Sequence, residues 1–313
     1  MTELLYDGPI IDAHTHLWDL SNDDYPWLMP TGSFGPKGRL DVLKGKDYLL
    51  ENYRTDIAGC GVVASVHVEA LFDPAKGLIN ETVWLETLDK SDNLAIRYTV
   101  GVAFGAADTE RDIRAQAAFG RTKAVRQVIA WTPHPDRRMV PEADLARDPV
   151  WREAIPVLIE LGLALEVLMY PWQAENVAEL AADFPQLQII VDHIGSPIEQ
   201  DEAGLVRWRE GITVMAAQPN VAVKASAAAA YLTEKTPAGI IPFVDHLVES
   251  FGADRVMFGS DFPVGTLVGW SYSEYLDAYR AAVRGLSRDE QEAVFFRTAA
   301  RIYDIDIAEL EKN

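Results

Sequence analysis

The segment "PIIDAHTHLWD", residues 9–19, sets His14 and His16 two positions apart. Residues i and i+2 of a β-strand point to one face, so the two imidazoles converge, with Asp12 expected beside them and Ile11 and Ala13 opposite. A neutral imidazole is the commonest protein metal ligand. One buried histidine is often only a satisfied core residue, but two on one strand face are what ligation of an ion needs. Other segments must supply the remaining ligands.

The elements that would position them are legible as an alternation of short β-branched runs with longer amphipathic stretches, the pattern of a parallel sheet covered by helices. The strand candidates are "PIIDAH", "VVASVHVEA", "IRYTVGVAF", "AVRQVIAW", "ALEVLMY", "LQIIVDH", "VAVKAS" and "RVMFGSD". Between them, Asp148 and Pro149 open a helix that Gly162 closes, Gly252 follows "IIPFVDHLVESF", and Ser287 with Glu290 forms a capping-box pattern. Eight such units predict a (β/α)8 TIM barrel, a single domain over residues 1–313. Residues 17–46, rich in Trp, Pro and Gly, form a loop long enough to predict a functional role as a lid.

Composition narrows the function classes. Hydrophobic residues make up 49% and charged residues 24% of 313, the balance of a globular chain with a sizeable core. The formal net charge is −20 without a basic run, which predicts neither nucleic acid nor an anionic membrane as partner. The expected partner is a small-molecule substrate, and a homo-oligomer stays open. Cys60 is the only cysteine, so a cysteine zinc cluster is excluded. With no signal-peptide pattern and no long apolar span, the expected location is cytoplasmic.

In such barrels chemistry sits at the C-terminal ends of the strands. Strand 1 ends in His14 and His16, strand 6 in Asp192 and His193, and strand 8 in Asp261. His14, His16 and Asp261 make an N,N,O set for Zn²⁺ or a similar ion, with His193 as a further ligand or a catalytic group. His67, one pleat below Glu69, reads as a buried core residue. Glu69 reads equally as a substrate contact or a structural pair. Arg126 and Lys224 either bind substrate or neutralise a buried carboxylate such as Glu166.

Taken together, "DAHTHLWD", "VDHIGSP", "NVAVKAS" and "FGSDFPV" resemble the amidohydrolase superfamily, in particular its branch of sugar-acid and dicarboxylate lactonases. "YPWL", "VRQVIAW", "GLALEVLMYP" and "FFRTAARIY" extend the resemblance over nearly the whole chain. The resemblance implies that His14 and His16 hold a metal, that His193 polarises the substrate carbonyl or binds metal, and that Asp261 activates water. It also implies that Tyr170 contacts the scissile lactone and Arg126 a substrate carboxylate. Binuclear members use a carboxylated lysine or glutamate on strand 4 and a histidine on strand 5; here strand 4 has Arg126 and Gln127, and strand 5 has no histidine. One divalent ion is expected, Zn²⁺ with Mn²⁺ as the alternative, and activity without metal stays open because some lactonases of the branch need none. Glu69 stands where the branch usually has glutamine.

The expected reaction is hydrolysis of a small sugar-acid or carboxylated lactone, with Asp261 as general base, His193 and Tyr170 or Lys224 at the oxyanion, and Arg126, Glu69 and Lys224 around the substrate. A nonoxidative decarboxylase of an aromatic or unsaturated acid is the alternative within the superfamily, although such relatives often begin with glutamate where this chain has His14. A barrel that binds small acids without catalysis is the third reading.

Overall fold

Eight β-branched runs form the strands β1 (Ile10–Thr15), β2 (Val62–Val68), β3 (Arg97–Gly101), β4 (Thr122–Val128), β5 (Ala164–Leu168), β6 (Ile189–Val191), β7 (Val221–Ala225) and β8 (Val256–Phe258). The computed structural model describes residues 5–32 and 40–310. All ladders are parallel, in the order β1 to β8. The ring returns from β8 to β1 through a bridge between Thr15 and Phe262. It is a nearly closed (β/α)8 barrel, as the element order predicts.

Between successive strands lie α1 (Leu50–Asp56), α2 (Ile79–Glu86), α3 (Thr109–Ala117), the pair α4 (Pro149–Arg152) and α5 (Ala154–Leu161), α6 (Ala174–Asp183), α7 (Glu202–Ala216), and the pair α8 (Ala228–Tyr231) and α9 (Pro237–Phe251). After β8 come α10 (Tyr272–Ala282), α11 (Arg288–Glu292) and α12 (Thr298–Ile302). The end signals act as expected: the Asp148 side chain accepts from the amides of Val150 and Trp151, and Ser287 and Glu290 cap α11 reciprocally. The expected single helix from Pro149 to Gly162 is two, α4 and α5. Pro156 has no N–H to offer the carbonyl of Arg152, and the first helix ends there.

Alternate residues of the strands face the barrel axis. Ile11, Ala64, Val66, Ala124, Ala164, Ile190, Ala222 and Met257 pack together low in the barrel, and Phe296, Ala299, Ala300 and Tyr303 close it from beneath. Two residues further along the same faces stand Arg126, Glu166, Asp192 and Lys224. The barrel therefore has an apolar floor and a charged upper half.

β1 departs from regular alternation. Asp12 pairs with Ser65 and Thr15 with His67, so β1 spends three residues where β2 spends two. This shift overturns the expectation that Asp12 shares a face with His14 and His16. Its carboxylate instead accepts from Tyr53 Oη of α1 (2.9 Å) and Tyr272 Oη of α10 (2.8 Å), outside the barrel wall.

The β1 loop is a packed wall where it is described. Trp18, Tyr25 and Leu28 are buried, Trp27 Nε1 donates to Ala70 O (2.8 Å), and Trp18 bridges to Tyr48. Residues 33–39 of the expected lid lie outside the described residues. No helix among the described residues is long and apolar enough to cross a membrane.

Candidate active site

Three loops at the C-terminal ends of the strands carry the candidate ligands, and two of them are bent against the usual backbone preference. His193 has φ 52° and Asp261 φ 60°, left-handed values uncommon outside glycine. The bend matters at His193, because Asp192 already continues the inward face of Ile190 and a regular strand would point the next residue outward. Such local strain recurs at functional sites. Gly259 permits the close approach of β1 and β8: a Cβ there would lie 2.7 Å from His14 Cβ. Two backbone bonds then lock the rim, Asp261 N to His14 O and His16 N to Phe262 O, both 2.8 Å. Asp12 adds a clamp, accepting from the amides of Ser260 (2.8 Å) and His14 (3.2 Å).

These constraints bring His14, His16 and Asp261 together. His14 Nε2 lies 3.2 Å from His16 Nε2 and 3.6 Å from Asp261 Oδ1, and His16 Nε2 lies 3.3 Å from the same oxygen. His16 Nδ1–H donates to Val68 O (2.8 Å), which leaves Nε2 with its lone pair. His14 Nδ1 lies between Asp192 Oδ1 and the Lys224 ammonium, each at 3.3 Å, so a carboxylate acceptor and a cationic donor both face this nitrogen. Burial, then the nearby Lys224 ammonium, hold the His14 pKa well below the ordinary value, and the ring is neutral. Three ligand atoms thus converge on one point. Their spacing suits the roughly 3.3 Å edge of a tetrahedral shell with bonds of about 2.0–2.1 Å. The donor set fits a divalent cation.

His193 stands beside this group, its ring 4.6 Å from that of His14 and its Nε2 4.0 Å from Asp261 Oδ1. Ser226 Oγ holds it by Nδ1 (3.0 Å) and by its backbone N–H (3.2 Å). Burial lowers its pKa and keeps the imidazole neutral. His14, Asp192 and His193 form a second group at ligand spacing.

Other expected residues fall elsewhere. Of the two roles the sequence allows Lys224, the geometry matches the pairing with Glu166: the side chain is sealed beneath His14 with no exposure, its ammonium 2.5 Å from Glu166 Oε1 and 3.3 Å from His14 Nδ1. It supports the ligand from below. Arg126 is gripped on two sides, by Asp192 Oδ2 (3.0 Å) and Glu69 Oε1 (3.1 Å). Glu69 is therefore a pairing partner as well as a wall. Tyr170 donates its hydroxyl to Arg137 O (3.2 Å) and packs with Leu168, Trp172 and Ile198. His67 lies outside the barrel interior, between β2 and α2, with Nδ1 accepting from Leu17 N (3.3 Å) and Nε2 3.6 Å from Glu81.

Sequence reasoning missed the work of Asp192, Ser226 and Thr99. Asp192 joins His14 to Arg126. Burial opposes its charge, but His14, Arg126 and Lys224 outweigh burial and hold its carboxyl well below the usual range. The signal for Asp192 was its place two residues after Ile190 on the inward face.

A (β/α)8 barrel whose C-terminal rim gathers imidazoles and a carboxylate around one point is the architecture of a hydrolytic barrel enzyme. Residues 11–305 match the amidohydrolase family, and the chain belongs to it. A relative from Sinorhizobium fredii, the uncharacterized protein y4mH, is 31% identical, with 96% of this chain and 99% of the relative covered. An L-fucono-1,5-lactonase of Burkholderia ambifaria is 26% identical over 95% of this chain and 96% of the lactonase. The crystal structure of a Burkholderia multivorans amidohydrolase with bound zinc superimposes with a TM-score of 0.78 at 23% identity, covering 96% of this chain and all of that one.

Proposed function

We propose that the chain is a lactonase that opens a small oxygenated lactone by attack of water. The observation that carries this reading is the convergence of His14 Nε2, His16 Nε2 and Asp261 Oδ1 in a chain similar to L-fucono-1,5-lactonases.

His14, His16 and Asp261 would hold the ion, with zinc favoured by the N,N,O donors and by its presence in the structural neighbour. When bound, it acidifies water and polarises a carbonyl. Asp261 takes the proton of the attacking water as the oxygen–carbonyl carbon bond forms. His193, neutral and fixed by Ser226, presents its ring to the carbonyl oxygen, where negative charge develops. As the ring C–O bond breaks, Asp261 returns its proton to the leaving alkoxide, and the product is the hydroxy acid. Asp192 and Lys224 fix the orientation of the His14 ring through Nδ1, and Tyr170 shapes the β5 side of the rim.

A pH-indicator assay over a panel of sugar lactones, run on chelator-treated protein and after addition of Zn²⁺ or Mn²⁺, tests this. Ring opening that falls on chelation and returns with metal is expected. Failure of metal-replete protein to open any lactone of the panel would overturn the reading.

A further inference from the structure

A cavity lined by Arg126, which Asp192 joins to His14, has an unusual charge inventory. It occupies about 600 Å³ between the β1 loop and the ends of β2, β3 and β4. Its apolar wall includes Trp27, Phe72 and Leu78; among the described residues its charged lining is two carboxylates, Glu69 and Asp73, and one cation, Arg126. That cation is engaged through two of its three nitrogens. Its Nε holds Asp192, and its Nη1 holds Glu69 through Oε1 (3.1 Å) and the backbone carbonyl (3.4 Å). The second Glu69 oxygen accepts from Leu71 N at 2.8 Å, so both oxygens are held in place. Glu69 and Arg126 are each only 6% exposed, which limits screening by water.

We propose that Glu69 sets the charge of the substrate, so that the cavity takes an uncharged polyhydroxy lactone and rejects its carboxylated counterpart. An entering carboxylate meets a guanidinium shared by two carboxylates and must sit against Glu69, with Asp73 on the same wall. Like charges at short range in a half-dry cavity are strongly unfavourable. A hydroxyl fits the same wall, since it donates to a carboxylate and accepts from a guanidinium without adding charge. This reverses the role expected for Arg126 as the anchor of a substrate carboxylate. The proposal rests on the lactonase reading for the reaction but not for the binding preference.

The test uses the γ-lactones of galactonic and galactaric acid, which differ only in a terminal hydroxymethyl against a terminal carboxylate, and the corresponding lactams, which resist hydrolysis. Titration calorimetry of the lactams on metal-depleted and zinc-loaded protein should show the neutral ligand bound at least about tenfold more tightly in both. With the lactones, the same preference should reside in KM more than in kcat. Glu69→Gln should shrink the ratio at least about tenfold, and Glu69→Asp, which keeps the charge, should retain it. Equal or tighter binding of the carboxylated lactam by the wild type, or an unchanged ratio in Glu69→Gln, would overturn the proposal. Neutral-selective lactam binding without hydrolysis of either lactone would remove the lactonase reading alone, and hydrolysis of both lactones with no preference in either assay would remove this proposal alone.

Discussion

Two cations are buried in the charged upper half of this barrel, and their surroundings separate a sealed network from an open site. Lys224, fully buried, pairs with Glu166, whose other oxygen accepts from Thr99 Oγ1 and Tyr303 Oη, both at 2.9 Å. Tyr303 seals this network from beneath. Arg126 makes the same kind of pair with Glu69 and Asp192, yet it borders a cavity. Around Lys224, each charged group is matched by a partner. At the rim, ligand atoms crowd one another and His193 and Asp261 adopt left-handed backbones, so stability is given up where a ligand can restore it. What a buried charge borders, more than residue type, separates support from site.

The largest expected effect is at the rim. Asp261→Asn should lower kcat by ~10²- to 10⁴-fold, the range for loss of general-base help, with metal content measured alongside the rate. An Asn variant that retains metal and near-wild-type kcat would remove Asp261 as the base. In the sealed network, Lys224→Met leaves Glu166 buried without its cation and should lower the free energy of unfolding by roughly 3–5 kcal/mol in urea titrations. A stable Lys224→Met protein with a raised KM would instead return Lys224 to the substrate.

Glu81 sharpens the comparison because it is a buried carboxylate with no lysine or arginine ion pair among the described residues. It accepts from Ala70 N (2.9 Å) and Tyr25 Oη (3.2 Å), and burial outweighs both, pushing its pKa up to about 7. Asp192, equally buried but flanked by cations, shifts the opposite way. A raised carboxyl pKa means that the folded state binds the proton more tightly, so this contribution is complete below the unfolded value near 4.5 and is lost as pH rises through about 7. Its size is roughly 3 kcal/mol at most. Stability measured between pH 5 and 8 should therefore fall less steeply in Glu81→Gln than in the wild type, and parallel curves would mean that Glu81 is ionised throughout. The smallest effect is expected at the clamp outside β1. Tyr272→Phe removes one of the two phenol donors to Asp12 and should cost about 1–2 kcal/mol of stability by thermal unfolding. A loss below a few tenths would mean that Tyr53 alone satisfies the carboxylate.

The sequence by itself determined the eight strands, because β-branched runs between helix caps are local signals, and it placed His14, His16, His193 and Asp261 at strand ends, where barrel chemistry occurs. It also identified Lys224 and Arg126 as the inward cations. Their assignments depended on contacts between residues far apart in the chain, such as Arg126 with Glu69 and Lys224 with Glu166. The side of Asp12 shows the limit most clearly. Alternation along "IIDAHTH" puts Asp12 beside His14, but the shift in the β1–β2 register puts it outside the wall, in reach of Tyr53 and Tyr272. A period of two is a property of the strand, whereas a one-residue shift comes from its pairing with a neighbour and reverses every face beyond it. Only the tertiary structure decides that register, because the partners that stabilise it lie on other elements.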